Sequence, residues 1–106
     1  MQIREYLIKQ AVAQNVPVER VLYIVKHESH FKKYAVGDKT IICPSGKYKG
    51  KKVYARGIFQ ITRCYHPEIS DMQAFDVSFA TQWALPLIKN KKQCKRQWTV
   101  CKEYFR

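Results

Sequence analysis

A glutamate at the end of an apolar helical run is the residue of this sequence best suited to acid chemistry. Glu28 closes a run without helix breakers that begins at Val21. Val21, Ile24 and Val25 lie seven, four and three residues before it, so a helix places all three on the face that holds the carboxyl. Burial and the negative end of the helix dipole both raise the pKa of such a group. An acid still protonated near neutral pH can donate a proton to a leaving oxygen.

A solvated surface glutamate is the alternative for position 28, because ionisable residues at helix ends are usually exposed. Lys32 follows four residues later and would then be its partner. The helix position alone does not separate the two interpretations, so the rest of the chain has to decide between them.

Two helices are predicted to position this residue. The first spans about residues 2–14, with Asn15 suited to a left-handed end. Pro17 opens the second helix, which runs to Ser29 and is apolar on most sides, so it should be central in the fold. The apolar positions that define the first helix are Ile3, Tyr6, Leu7, Ile8 and Ala11.

The middle of the chain predicts a small β-structure. Turn signals and short β-prone runs between Tyr34 and Tyr54 predict an irregular β-hairpin flap with a lysine-rich tip. A helix capped by Asp76 should run to about residue 89, with Phe79, Trp83 and Leu87 as its buried stripe and a kink or early end at Pro86. The aromatic tail, residues 98–105, is expected to pack back under the ring that a Cys94–Cys101 disulfide would close.

Size and charge limit the classes of function. The 106 residues predict one domain, residues 1–106, with a formal net charge of +12. That charge suits a nucleic acid, an anionic membrane or a bacterial wall polymer equally well, and a merely solvated surface is the alternative. No apolar stretch approaches the roughly 20 residues that span a bilayer. The N-terminus lacks the apolar core of a signal peptide, so a leader was removed or delivery takes another route, for example a phage.

Four cysteines predict two disulfides and an oxidising compartment. Cys43–Cys64, flanking a loop, and Cys94–Cys101, a short local ring, are the favoured pairs among the three pairings that four cysteines allow. None shows the close spacing of a zinc knuckle. Free buried thiols in a reducing cell are the alternative.

Two motifs resemble those of soluble lytic transglycosylases, a family whose core goose-type and chicken-type lysozymes share. The first is the run His27-Glu28-Ser29-His30-Phe31, similar to the Glu-Ser-x-Phe run that ends a buried helix in that family. The second is the run Ala55-Arg56-Gly57-Ile58-Phe59-Gln60-Ile61-Thr62, similar to the family's Ala/Ser-x-Gly-Leu-Met-Gln-Ile run. The resemblance covers roughly residues 1–90. The first motif alone is weak evidence, whereas the two in this order are specific.

The resemblance implies an α+β, mainly α, lysozyme-like fold with a central buried helix and a small β-hairpin flap. It implies an enzyme that cleaves the β-1,4 bond between N-acetylmuramic acid and N-acetylglucosamine in peptidoglycan, with Glu28 as single general acid and base. Ser29 would bond the carboxyl or the sugar, Gly57 would let the backbone approach a sugar ring, and Gln60 would hold a sugar amide or hydroxyl. The substrate-binding residues so implied are Ser29, Gly57, Ile58, Phe59 and Gln60.

The departures from the family concern the second carboxylate and a tyrosine. Retaining hydrolysis needs a second carboxylate about 5–5.5 Å from the first, and the chain has Ala55 and Arg56 where chicken-type lysozymes carry an Asp. This absence favours transglycosylation, although Asp38 of the flap remains an alternative second carboxylate. The family's Ala-Tyr-Asn run is also missing, and the candidates to replace its cleft tyrosine are Tyr65, Trp98 and Tyr104.

Other classes are disfavoured. The two histidines around Glu28 are three residues apart, unlike a His-Glu-x-x-His zinc site, so no metal ligands are expected. The lysine-rich run from Gly46 to Lys52 lacks the glycine spacing of a phosphate-binding loop. Aromatic residues at core-like spacing argue against a nucleic-acid binder. We therefore expect a monomer outside the cytoplasm that acts on peptidoglycan strands without a cofactor, with a hydrolytic muramidase or an inactive wall-binding module as alternatives.

Overall fold

The computed structural model describes residues 2–106. Within them the chain forms short antiparallel strands and a helical body, in which no helix is long and apolar enough to cross a membrane. The helices are α1 (Ile3–Ala13), α2 (Val18–Ser29), α3 (Asp71–Phe75), α4 (Val77–Lys89), α5 (Lys91–Gln97) and α6 (Thr99–Tyr104). The strands are β1 (Val36–Gly37), β2 (Ala55–Arg56) and β3 (Ile61–Thr62).

The two N-terminal helices form as their apolar spacing predicts. Helix α1 buries Leu7 and Ala11, and Asn15 takes the left-handed conformation after its end, with φ 61°. Helix α2 starts directly after Pro17, whose missing N–H costs nothing there. Its Val21, Ile24 and Val25 have no exposed surface, and it contacts α1, α4 and α6. The prediction of a central buried helix is confirmed.

The strands make one three-stranded antiparallel sheet in the order β1-β2-β3. The flap, residues 34–54, is a hairpin that is mostly irregular, because its pairing outside β1 is a single bridge between Ile42 and Lys52. The Cys43 N–H donates to the Lys51 carbonyl at 2.8 Å. A disulfide joins Cys43 to Cys64, just after β3, so the flap is tied to the sheet. The predicted β-hairpin flap is confirmed, with fewer paired residues than its β-prone runs suggested.

Side-chain caps place α3 and α4. Ser70 forms a capping box with Gln73 at the start of α3. Asp76 accepts a hydrogen bond from the Phe79 N–H at 3.0 Å at the start of α4, as predicted.

The structure corrects two details expected for α4. Of the two outcomes expected at Pro86, the early end does not occur: the helix continues to Lys89, and Ile88, two residues beyond the proline, is fully buried and packs the last turn against the core. Of the expected stripe, Trp83 and Leu87 are partly buried against the core, whereas Phe79 is 37% exposed. Small residues, Ala80 and Ala84, face the core because they let the neighbouring helices approach closely.

The C-terminal segment folds back as predicted, as two short helices. The Cys94–Cys101 disulfide joins α5 to α6. Trp98, between them, is 2% exposed and packs at 6.1 Å from the Phe59 ring and 6.0 Å from the Trp83 ring, measured between centroids. This packing brings residues 96–100 close to the second motif.

Candidate active site

A cleft of about 610 Å³ lies beside the end of α2 and contains the predicted acid. Three parts of the chain form it: the end of α2, the region from the flap to the residues after β3, and the segment between α5 and α6. Its lining residues are Glu28, Asp38, Gln60, Thr62, Tyr65, His66, Arg96, Gln97, Trp98, Thr99 and Val100.

Glu28 is partly buried at the cleft surface. Desolvation by burial, with a smaller contribution from the negative charge of Asp38, raises the pKa of Glu28 from 4.5 to about 7. Both causes disfavour a second negative charge at this point. The carboxyl is therefore in part protonated at neutral pH and lies where a ligand in the cleft can reach it, as a general acid must.

Ser29 does not face the cleft. Its side chain is buried, and its Oγ lies 2.9 Å from the Ile58 carbonyl oxygen and 3.2 Å from that of Val25. The hydroxyl thus links the last turn of α2 to the second motif, instead of meeting the carboxyl or a sugar as the resemblance implied. This link fixes the distance between Glu28 and the backbone of residues 57–60.

Replacing Ser29 by alanine tests this link. We expect Ser29→Ala to lower the free energy of unfolding by about 1–2 kcal/mol, because the Ile58 carbonyl loses its buried donor. Activity on wall material should fall only a few-fold, measured at a temperature where the variant is fully folded. A loss of activity as large as that of a Glu28 variant would contradict a purely structural role.

Gly57 allows a close contact between the second motif and α3. Its φ is +81°, and a Cβ there would collide with the carbonyl oxygen of Ala74. The close approach that this glycine permits within the fold is to the Ala74 carbonyl in α3. Ile58 and Phe59 have side chains 1% and 0% exposed in the core, so they support the cleft from behind instead of lining it.

Gln60 does line the cleft. Its Nε2 donates to the carbonyl oxygens of Ala35 at 3.2 Å and Gly57 at 2.9 Å. Its Oε1 lies so close to Gly37 that a Cβ at that position would collide with it. The amide is therefore held in one orientation between β1 and the second motif, and its backbone is left-handed, with φ 51°.

Asp38, the residue directly after β1, also lines the cleft. Its φ is 55°, a conformation that Asp adopts more readily than most residues. The Asp38 carbonyl accepts the Tyr54 N–H at 3.4 Å across the base of the flap. A second carboxylate therefore shares the cleft with Glu28 and contributes to its raised pKa.

The segment of residues 96–100 is a cleft component of which the sequence analysis considered only Trp98. All five of these residues line the cleft, and all lie inside the ring closed by the Cys94–Cys101 disulfide. Trp98 Nε1 donates to the Phe59 carbonyl at 2.8 Å, and a 2.9 Å hydrogen bond joins Gln97 to His66. The short cysteine ring was the one signal in the sequence that this segment has a fixed conformation.

The structure distinguishes the three candidates for the missing tyrosine. Tyr104 packs against Tyr23, with 5.3 Å between ring centroids, and is not part of the cleft. Tyr65 and Trp98 both line the cleft. Tyr65 is 67% exposed whereas Trp98 is 2% exposed, so only the Tyr65 side chain has much surface free for a ligand.

Arg56, in the region where chicken-type lysozymes carry an Asp, holds the sheet to the residues before α3. Its side chain is 1% exposed and donates to the carbonyl oxygens of Ile61 and Ile69 and to the carboxylate of Asp71. Across residues 2–106, no group of three His, Cys, Asp or Glu side chains is arranged to hold a metal ion.

Comparison with protein families agrees with the two motifs and with the fold. The model of the transglycosylase SLT domain matches residues 5–104. Neither the curated proteins nor the solved structures include a significant match. The family is one of glycosidic-bond-cleaving transglycosylases that act on peptidoglycan. The cleft with its raised-pKa glutamate thus lies in a chain that belongs to the transglycosylase SLT domain family.

Proposed function

We propose that this protein is a lytic transglycosylase that cleaves the β-1,4 bond between N-acetylmuramic acid and N-acetylglucosamine, with Glu28 as single general acid and base. The observation that supports the proposal best is a carboxyl group with a pKa of about 7 in the lining of a cleft of about 610 Å³. Family membership supports the substrate class and the type of bond.

The reaction follows from one carboxyl group. Glu28 donates its proton to the glycosidic oxygen, which leaves as the hydroxyl of N-acetylglucosamine while the muramyl C1 becomes positively charged. The muramyl acetamide stabilises that centre. The Glu28 carboxylate then accepts the proton of the sugar's 6-hydroxyl, whose oxygen bonds C1 and closes a 1,6-anhydro ring. The carboxyl is protonated again, so no second carboxylate is consumed.

Gln60 and Tyr65 are the polar side chains that we assign to sugar binding in this cleft. Two hydrogen bonds hold the Gln60 amide in one orientation, and its side chain lines the same cleft as Glu28. Tyr65 offers an exposed ring and a hydroxyl. We assign no direct sugar contact to the buried side chains of Ser29, Ile58 and Phe59.

Hydrolysis is the second candidate, and the position of Asp38 is the observation that favours it. A carboxylate near the acid can stabilise or capture the positive C1, or orient a water molecule. Asp38 lines the same cleft and affects the pKa of Glu28. Mass spectrometry of digested wall separates the candidates, since anhydro products are lighter by one water than reducing ends.

Asp38→Asn distinguishes the two candidates further. For a transglycosylase we expect the variant to keep anhydro products, while the high-pH fall in activity moves to lower pH because a negative charge that raises the Glu28 pKa is gone. For a hydrolase that uses Asp38, activity should fall by about 10²-fold or more at every pH. Product masses and pH–rate profiles of wild type and variant provide the comparison.

The net charge of +12 suits this substrate. Peptidoglycan carries carboxylates on its stem peptides, and a positive protein reaches an anionic polymer faster at low salt. A wall-degrading domain acts outside the cytoplasm, which agrees with an oxidising compartment for the two disulfides.

A further inference from the structure

The flap carries an uncompensated positive charge. Between Asp38 and Glu68 the sequence contains no acidic residue. The same stretch contains seven basic residues: Lys39, Lys47, Lys49, Lys51, Lys52, Arg56 and Arg63. The five lysines are all exposed, whereas Arg56 is buried. The proposed cleavage of glycosidic bonds uses none of these residues.

A second cavity, of about 510 Å³, lies between this flap and the residues before α3. Lys47, Tyr48, Arg56 and Arg63 line it from the flap and sheet, and residues 67–72 complete its lining. It shares no lining residue with the catalytic cleft. The cavity is therefore a separate site with three basic side chains.

Arg56 presents an unpaired donor at this cavity. The residue is 99% buried, and its Nε and Nη1 donate to Ile61, Ile69 and Asp71. Its Nη2 is also buried but has no hydrogen-bond partner among residues 2–106. A buried guanidinium N–H without an acceptor is unfavourable, so a ligand that supplied an acceptor to Arg56 would stabilise the folded protein.

Arg63, another residue that lines the cavity, also has a buried donor without a partner. Its guanidinium lies over the Tyr48 ring at 4.6 Å and the Tyr54 ring at 5.2 Å, and Nη2 donates to the Lys52 carbonyl at 2.8 Å. Those contacts fix the group in place. Its Nε is buried and, within the described chain, has no acceptor. Two fixed guanidinium groups with a free N–H therefore line one cavity.

The acidic residues of the cavity do not cancel this charge. Asp71 is already bound by Arg56 at 2.9 Å, and Glu68 lies 3.7 Å from the His66 ring. With Arg56 and Asp71 paired, Lys47 and Arg63 remain against Glu68, which leaves one positive charge in excess. The exposed lysines of the flap add to the positive field around the opening.

We propose that this cavity binds a phosphate group. Three basic side chains, Lys47, Arg56 and Arg63, line the cavity, and a phosphate has enough acceptor oxygens to take hydrogen bonds from all of them. The group can be free phosphate or the phosphodiester of an anionic polymer, since both present the same oxygens. The site is independent of Glu28, so it does not require the proposed catalytic function.

A titration of the folded, oxidised protein with inorganic phosphate tests the site. Two-dimensional NMR at constant ionic strength monitors the binding. We expect saturable shifts confined to the amides of residues 47–48, 56, 63 and 68–72. Lys47→Gln and Arg63→Gln should each weaken binding about tenfold, as is usual for a hydrogen bond to a charged group. Glu28→Gln should bind phosphate like wild type.

Lys49→Gln is the matched control, because it removes the same charge from the flap tip but does not line the cavity. We expect it to change phosphate affinity less than about twofold. Equal weakening by Lys47→Gln and Lys49→Gln, or shifts without saturation spread over all exposed lysines, would overturn the proposal. Lys47 is exposed, so its variant remains informative even if the Arg63 variant fails to fold.

A soluble glycerol-phosphate polymer identifies the source of the group. Competition between the polymer and inorganic phosphate, together with weaker polymer binding by Lys47→Gln, assigns the phosphodiester. If the phosphate titration saturates, but polymer binding neither competes with phosphate nor weakens in Lys47→Gln, the ligand of the cavity is free phosphate. No saturable binding of either probe would rule out the site.

Discussion

Glu28→Gln is expected to lower cleavage of purified peptidoglycan by about 10³-fold, because the amide cannot donate a proton to the leaving oxygen. Loss of turbidity of purified wall measures the effect. Glu19→Gln is the matched control: it makes the same chemical change in the first turn of α2, at an exposed position outside the cleft. Retained cleavage by Glu28→Gln would exclude this residue as the acid, and an inactive wild type that still binds wall would indicate a binding module instead.

The same variant should be at least as stable as wild type, and the difference should depend on pH. Between pH 4.5 and about 7 the folded protein keeps a proton on Glu28 that the unfolded chain has released. Wild-type stability therefore falls as pH rises through this window and stays lower above it. Glutamine has no such loss, so its advantage should grow to about 1–2 kcal/mol above pH 7, allowing for solvent screening. Denaturant unfolding at pH 4.5 and pH 8 measures it.

The pH–rate profile of the wild type should show a fall in activity above the pKa of Glu28. A general acid with a pKa of about 7 is mostly protonated below that pH. The rate of the protonation step should then fall tenfold per pH unit above it. A pH–rate profile that is flat from pH 6 to pH 9 would contradict the assignment of Glu28.

Reduction of both disulfides is expected to remove most of the folding stability. The rings close over sequence separations of 21 and 7 residues, which correspond to about 3 and about 2 kcal/mol of loop-closure free energy. Their sum is comparable with the total stability of a small domain, about 5–15 kcal/mol. Thermal unfolding with and without reductant measures the loss, and a variant with four serines should not respond to reductant.

The two disulfides should differ in what they protect. Serine replacements of Cys43 and Cys64 should lower stability more, since they open the longer ring. Replacements of Cys94 and Cys101 should lower activity more at a temperature where the variant is folded, because residues 96–100 line the cleft. Equal effects of the two pairs on activity would contradict a role of the smaller ring in shaping the cleft.

Local chemistry explains why much of the fold was predictable from the sequence. Helices α1, α2 and α4 have long apolar periods and end signals such as Asn15 and Asp76, and the model places them within a residue or two of the expected bounds. The helix does not end early at Pro86, although an early end was expected from the lost N–H alone. Burial of Ile88 outweighs that loss, and such burial depends on residues distant in sequence.

The site was predictable to a smaller degree. Glu28 and Gln60 lie in the cleft because their motifs fix them relative to a helix end and a turn. Ser29, Gly57 and Ile58 were expected at the substrate but belong to the support behind the cleft, a distinction that needs the packing of α3 and α2. Apart from Trp98, the residues of segment 96–100 were missed, since their place depends on how α5 and α6 fold back onto Phe59.

The left-handed backbone of Asp38 and Gln60 has a consequence for evolution and engineering of this protein. Both residues line the cleft, with φ 55° and 51°, in a region of conformational space where a side chain costs about 1 kcal/mol relative to glycine. Glycine at either position would relieve this backbone cost but remove a side chain from the cleft. A library screened for thermal tolerance and one screened for catalysis should therefore diverge at these two positions.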